Sequence, residues 1–446
     1  MEKYNNLRNK YPVFSFNSFD IEKTNSEIKI TYHFTAEGLS DFAPQWTFPC
    51  KEEYTDELLP SLVFNLGMVE LISYWKLTCS PTVKIKCASL SQKQLLWWKK
   101  LYFNGLGEFF YINGIKPEFE SFMSIYSEGT EYAAGSGKKV SGDALVPVGG
   151  GKDSSVTIEL LRSYPHKKTA YIINSRGATE ETVKAAELDA YRVHRTLDKN
   201  MLELNKQGFL NGHTPFSALV AFSSLISARI CGCGYVVLSN ESSANESTVS
   251  GSYVNHQYSK SFEFESDFNE YESEFIKSGV KYFSLLRPIS EYQIAMLFSH
   301  FEKYHDIFRS CNKGSKQDIW CGACPKCLFV FLIMSPFLPH EKLCKIFGCD
   351  MTDSPEMLED FKKLTGLLPE KPFECVGSRD EINFAVCEAI KSFGDKKLPC
   401  LFEFYKKSRL YDEYSQRENP FLTYYNENNM LDTEFDKILK NALRGE

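Results

Sequence analysis

Apolar and polar positions change their rhythm twice along the chain. From residue 144 onward, short apolar runs at 144–148, 169–173 and 235–238 predict strands, and the stretches 155–164 and 215–231 carry helical spacing. Thr214 and Pro215 suit the start of the second helix, and Gly232 and Gly234 suit its end. Strands alternating with helices predict an α/β architecture, a doubly wound parallel sheet covered on both faces. Ligands meet such sheets beyond the carboxyl ends of the strands.

The first 135 residues follow another pattern and read as a separate α+β domain. Alternation at 28–35 predicts a strand. The periodic stretches 57–75 and 92–110 predict helices with aromatic faces, in which Trp97, Trp98, Phe109 and Phe110 belong to the core. The polar, glycine-containing stretch 127–143 reads as a linker or mobile loop. The apolar run 328–338, broken by Ser335 and Pro336, is too short to span a bilayer and predicts a buried helix. Three regions result: 1–135, an α/β domain over 140–310, and a cysteine-bearing helical region over 311–446.

Composition narrows the function classes. At 446 residues, 43% hydrophobic and 24% charged, the chain is globular and large enough for more than one domain. A net charge of −7 lacks the electrostatic pull of a protein that grips long nucleic acid, so no such partner is expected. The opening MEKYNNLRNKYPVFSF has neither the apolar segment nor the cleavage site of a signal peptide. Fourteen cysteines without such a signal predict a reducing compartment, the cytoplasm by default, with no membrane association. Clustered thiolates there point to metal or catalysis sooner than to disulfides.

The stretch LVPVGGGKDSSV (145–156) carries the strongest chemical signal. A buried strand runs into Gly149, Gly150 and Gly151, whose backbone N–H groups can approach an anion without a Cβ in the way. The helix start at Ser154 and Ser155 adds unpaired donors and a positive dipole end. Lys152 suits neutralisation of phosphate charge and Asp153 suits a magnesium ion. The spacing is neither a Walker loop nor a Rossmann fingerprint.

A second cluster lies downstream. Cys321, Cys324 and Cys327 form C-x2-C-x2-C, with Cys311 ten residues earlier. Four thiolates suit a closed, structural zinc site, and an iron–sulfur cluster is the competitor.

The glycine stretch resembles the PP-loop, SGGxDS(S/T), of the N-type ATP pyrophosphatases, with Gly149 in place of the first serine. That resemblance implies a PP-loop/HUP-like adenine nucleotide hydrolase fold. It also implies ATP and Mg2+ as cofactors, and cleavage to AMP and pyrophosphate that activates a carboxylate or carbonyl oxygen. It further implies a nucleotide contact at Asn174, where the second strand ends, and phosphate within reach of Arg287 in LLRPISEYQI (285–294). Read alone, Arg287 is a surface salt-bridging residue, and Ser290 with Gln293 makes a capping box. The cysteines resemble the zinc knuckle of 7-cyano-7-deazaguanine synthases.

Several motifs in order sharpen the resemblance: NGHTPFSA (211–218), SNESSANES (239–247), VNHQYSKSFEFE (254–265), WCGACPKCLFVFL (320–332) and KPFECVG (371–377). Over about 140–380 the chain is similar to the MurL-type glutamate epimerases, whose own loops carry glycine at the first position. This implies epimerisation of UDP-N-acetylmuramoyl-L-alanyl-L-glutamate at its terminal glutamate through an acyl-adenylate, in peptidoglycan precursor synthesis. Lys152, Asp153, Glu241, His256 and Lys260 are then the candidate catalytic residues. His213 joins Gly149–Gly151, Lys152–Ser155, Asn174 and Arg287 as a nucleotide contact, and Cys375 is a further, weaker candidate base. Lys260 and Arg287 equally suit the UDP diphosphate, and residues 1–135 suit recognition of the UDP-sugar. Two rivals stand beside this reading: a deazaguanine-synthase-like or tRNA-modifying PP-loop enzyme, and a non-catalytic nucleotide-binding zinc protein.

Overall fold

The computed structural model describes residues 1–245, 258–315, 317–372, 374 and 376–445. Eleven strands among them join into one sheet: β1 (Val13–Lys23), β2 (Glu27–Ala36), β3 (Ser40–Phe42), β4 (Gln45–Pro49), β5 (Thr82–Ile85), β6 (Ser124–Ser127), β7 (Ala144–Pro147), β8 (Lys168–Ile173), β9 (Asp189–Thr196), β10 (Tyr235–Leu238) and β11 (Lys281–Ser284). Their spatial order is β11-β10-β7-β8-β9-β4-β2-β1-β5-β6, with β3 paired to β2. Neighbours from β11 to β9 are all parallel. At the seam, β9 meets β4 antiparallel, Trp46 opposite Arg195. Strands from the first 135 residues thus continue the parallel half directly.

Side-chain alternation explains why both faces of the parallel half are covered. In β7, Leu145 enters one core while Ala144 and Val146 enter the other. The first core runs from the N-terminal strands to the helices Leu59–Trp75 and Phe216–Cys231. Helix Leu59–Trp75 is apolar nearly all round because it lies between the antiparallel strands and Phe216–Cys231. The second core holds the helices Lys152–Leu160, Glu291–Ser299, Pro325–Met334 and Arg379–Phe393.

Most expected elements form, with shifted ends. The stretch 92–110 divides at Leu106 into Gln92–Gly105 and Gly107–Ile112, and Trp98, Phe109 and Phe110 are buried. The helix expected at 155–164 starts at Lys152 and ends at Leu160, so Lys152 and Asp153 belong to its first turn. Pro215 precedes helix Phe216–Cys231 instead of starting it, and Gly232 ends it in the left-handed region at φ +71°. Ser290 and Gln293 form the reciprocal cap. The stretch 127–143 is irregular after β6 but tied down, with Gly135 N donating to Ile276 O at 2.8 Å and Gly137 N to Lys277 O at 3.0 Å. Among the described residues, no helix is long and apolar enough to cross a membrane.

Candidate functional site

Counted in chain order, the five parallel strands β7, β8, β9, β10 and β11 stand as 3-2-1-4-5 across the sheet. The order reverses between β7 and β10, and a crevice opens beyond their carboxyl ends. A cavity of about 410 Å3 lies there, walled by Gly149, Gly151, Asp153 and Ser154 after β7 and by Ser239, Asn240 and Glu241 after β10.

The glycine turn is held by its neighbours. Gly150 adopts φ +80°, and a Cβ on it would stand 2.9 Å from the Ala178 carbonyl carbon, so glycine is required on two counts. Its carbonyl oxygen accepts from Arg309 N at 2.7 Å. Gly151 is the extended residue that starts helix Lys152–Leu160, and its carbonyl oxygen accepts from the hydroxyls of Ser154 and Ser155, each at 3.1 Å. The would-be Cβ of Gly149 meets nothing within 4 Å, leaving the cavity side of the turn open.

Charge is concentrated behind this turn. The buried Lys152 ammonium bonds to the carboxylates of both Asp153 and Glu291. Burial alone would lower the Lys152 pKa, but those carboxylates outweigh it and hold it above its ordinary value. Burial raises the Glu291 carboxyl, with Lys152 opposing and Asp153 and Glu241 adding to the rise. Asp153 is held low despite burial by the charges of Lys152, Lys326 and Lys260. Two wall atoms, Ser239 Oγ and Arg309 Nε, are buried without a hydrogen-bond partner, the condition of groups that await a polar ligand.

The structure brings Gly149, Gly151, Asp153, Ser154, Glu241 and Lys260 together in this wall. Gly150, Lys152 and Ser155 support it from behind. Arg287 corrects its surface reading: it is fully buried, donating to Glu265 Oε2 at 3.0 Å, Glu241 O at 2.7 Å and Lys260 O at 2.5 Å. It stands outside the cavity wall, as do Asn174 and the exposed His213. The Asn174 side chain bonds the backbone N and O of Arg195, each at 2.9 Å. His256 and Cys375 lie outside the described residues. Glu291, Arg309 and Lys326 also line the cavity, although the glycine stretch gives no sign of them. Glu291 sits inside LLRPISEYQI and Lys326 inside the C-x2-C-x2-C spacing, but neither motif marked them as cavity residues.

The sulfurs of Cys311, Cys321, Cys324 and Cys327 all lie within 4.8 Å of one another. Cys311–Cys324, Cys321–Cys327 and Cys324–Cys327 are separated by 3.9, 3.7 and 3.4 Å. A tetrahedral zinc with bonds of about 2.3 Å needs sulfur separations of about 3.8 Å, so the set fits such an ion. Gly314 N donates to Cys311 Sγ at 3.2 Å and Cys327 N to Cys324 Sγ at 3.4 Å, contacts that favour thiolates. Cys311 also lines the cavity, so this candidate metal centre and the cavity share a wall.

Comparison with known proteins gives these features a context. A family model described as the MurL N-terminal domain matches residues 5–285, and one described as the MurL C-terminal domain matches 307–411. The chain belongs to the MurL family. A relative from Xanthomonas oryzae pv. oryzae is 34% identical over 329 residues, 72% of either chain. One from Salinispora tropica is 33% identical over 386 residues, 83% of either chain. One from Micromonospora sp. is 32% identical over 383 residues, 83% of this chain and 85% of its own. All three are named UDP-N-acetyl-alpha-D-muramoyl-L-alanyl-L-glutamate epimerase, and epimerases are isomerases. No solved structure matches the chain. In this MurL-family chain the cavity lies where the two matched parts meet: the glycine turn and Glu241 come from the first, Arg309 and Lys326 from the second.

Proposed function

We propose that this protein inverts the terminal glutamate of UDP-N-acetylmuramoyl-L-alanyl-L-glutamate from L to D, a step in peptidoglycan precursor synthesis, and that it spends ATP to do so. Membership of the MurL family and the shared name of the three relatives support the reaction. One observation carries the ATP-dependent part: the open Gly149 turn, a helix N-terminus and Asp153 converge on one cavity where the strand order reverses. That is the arrangement of an anion cradle, in keeping with a PP-loop, doubly wound fold for the parallel half.

The chemistry explains why a nucleotide is needed. A free carboxylate opposes loss of the neighbouring α-proton, because the carbanion would form beside a negative charge. In the proposed sequence the carboxylate oxygen attacks the α-phosphorus of ATP. The bond to the bridging oxygen breaks, and pyrophosphate leaves with that electron pair. The acyl-adenylate has lost the carboxylate charge, so its carbonyl accepts electrons as an enolate when a base takes the α-proton. An acid returns a proton to the opposite face, and water then releases AMP.

The residues divide accordingly. Main-chain amides of Gly149–Gly151 receive the leaving pyrophosphate, and the Asp153 carboxylate suits a magnesium ion beside it. Glu241 and Lys260, both in the cavity wall, are the proposed proton-transfer groups, with His256 the third candidate. The four-thiolate set leaves no position for water, which favours structural zinc over catalytic metal. Every cysteine among the described residues is free, in keeping with action in a reducing cytoplasm. Incubation with ATP and the L-glutamyl substrate in heavy water tests the reading. Deuterium at the glutamate α-carbon, a D product, and equal AMP and pyrophosphate are expected; a D product formed without ATP consumption refutes the adenylate route.

A further inference from the structure

The cations around the cavity divide in a way that the glycine stretch does not suggest. Lys152 is adjacent to the loop and is the natural candidate for a phosphate ligand, yet its side chain is only 3% exposed and lies outside the cavity wall. Two carboxylates, those of Asp153 and Glu291, already engage its ammonium. Withdrawing it toward a phosphate would break a buried ion pair with Glu291, itself 2% exposed.

Lys326 is placed differently. Although largely buried, it lines the same cavity as Gly149, Gly151 and Asp153. It is the second residue of helix Pro325–Met334 and stands between Cys324 and Cys327, two of the four clustered sulfurs. Its backbone is therefore held between two members of the clustered set. Arg309, two residues before Cys311, donates its backbone N–H to Gly150 O at 2.7 Å, so the chain entering the cysteine knuckle also holds the turn.

Resting on the adenylation reading above, we propose that Lys326 is the ammonium group that meets the departing pyrophosphate, that Lys152 is a positioning residue for Asp153, and that the four-cysteine centre thereby sets pyrophosphate affinity. When the α-phosphorus bond to the bridging oxygen breaks, the electron pair stays on pyrophosphate, and Lys326 balances that charge electrostatically. The metal takes no part in the chemistry; it holds the lysine where the charge develops.

Calorimetric titration of the full chain tests this, with pyrophosphate and AMP titrated separately in magnesium buffer and metal content measured for each protein. Lys326→Gln is expected to weaken pyrophosphate binding by about 10- to 100-fold, the worth of one charge-assisted contact, and to leave AMP binding within about twofold. Lys326→Arg, which keeps the charge, should retain most of the affinity. Chelation of the metal from the unmutated chain should reproduce the selective loss. Equal weakening of AMP and pyrophosphate by Lys326→Gln, or no weakening of either, overturns the role of Lys326. Chelated protein that binds pyrophosphate unchanged overturns the coupling to the metal centre. Unmutated protein that binds none of pyrophosphate, AMP and ATP refutes the adenylation reading itself, a result separable from the others.

Discussion

The guanidinium of Arg287 bonds the carbonyl oxygens of Glu241 and Lys260 and the Glu265 carboxylate, so one buried cation fixes the backbone of two cavity residues. Burial raises the Glu265 carboxyl, and Arg287 pulls it back only in part. Arg287→Ala is expected to lower the unfolding free energy by about 3–5 kcal/mol, because it strands a buried carboxylate. Adding Glu265→Gln should recover part of that loss, and urea denaturation of the two variants measures both. The segment LLRPISEYQI showed an arginine just past a strand, but its partner Glu265 is 22 residues away. No local pattern decides between a surface ion pair, a phosphate ligand and a buried tie. Glu291 makes the same point more strongly, since its contact with Lys152 spans 139 residues. Asp153 and Gly150, by contrast, were legible because a turn and the helix that follows it are set by adjacent residues.

At the scale of elements, the Ser290 cap and the clustering of the four cysteines were read correctly because their partners are close in sequence, whereas Pro215, not Thr214, stands at the cap of helix Phe216–Cys231. Ser290 with Gln293 needs only three residues, and the knuckle gathers its four sulfurs from 311–327. Not every helix end was: the expected helix over 92–110 divides at Leu106, which leaves helical geometry at φ −100° and ψ 11°. A long-range tie also joins two elements here. Asp56, ahead of helix Leu59–Trp75, pairs with Arg229 in the last turn of Phe216–Cys231 at 2.7 and 2.9 Å. Burial would raise the Asp56 carboxyl, but the Arg229 guanidinium, the Leu58 amide and the Tyr54 hydroxyl hold it below its ordinary value. A carboxyl held low binds its proton more weakly in the folded chain than in the unfolded one. Its stabilisation is therefore complete above about pH 5 and is lost as pH falls through about 4 toward the folded value. Asp56→Asn is expected to cost about 1–2 kcal/mol at pH 7 and to flatten the acid limb of the stability profile, as read by thermal melts from pH 3 to 7.

Across the whole molecule, the β4–β9 seam makes the first 135 residues part of the same sheet and core as the parallel half. Glu70, fully buried in helix Leu59–Trp75, accepts from Arg195 of β9 at 2.8 and 2.9 Å and from Trp46 Nε1 of β4 at 3.0 Å, locking that seam. A chain reduced to residues 140–446 would expose the β9 edge and one face of Phe216–Cys231. It is expected to show no cooperative melt by circular dichroism, whereas the full chain should unfold these regions together. The matched MurL N-terminal domain, residues 5–285, likewise crosses the boundary that composition suggests near 135–140. The sequence by itself determined the alternation of strands and helices, the glycine turn at the end of β7 and the cysteine set, because each strand, helix, turn or knuckle is specified by residues close to one another in the chain. Only the tertiary structure decided the reversal of strand order at β7 and β10, the burial of Arg287 and Lys152, and the meeting of knuckle and turn at one cavity. Those depend on contacts between residues far apart in the chain, which are chosen by the packing of whole faces and leave no periodic mark along it.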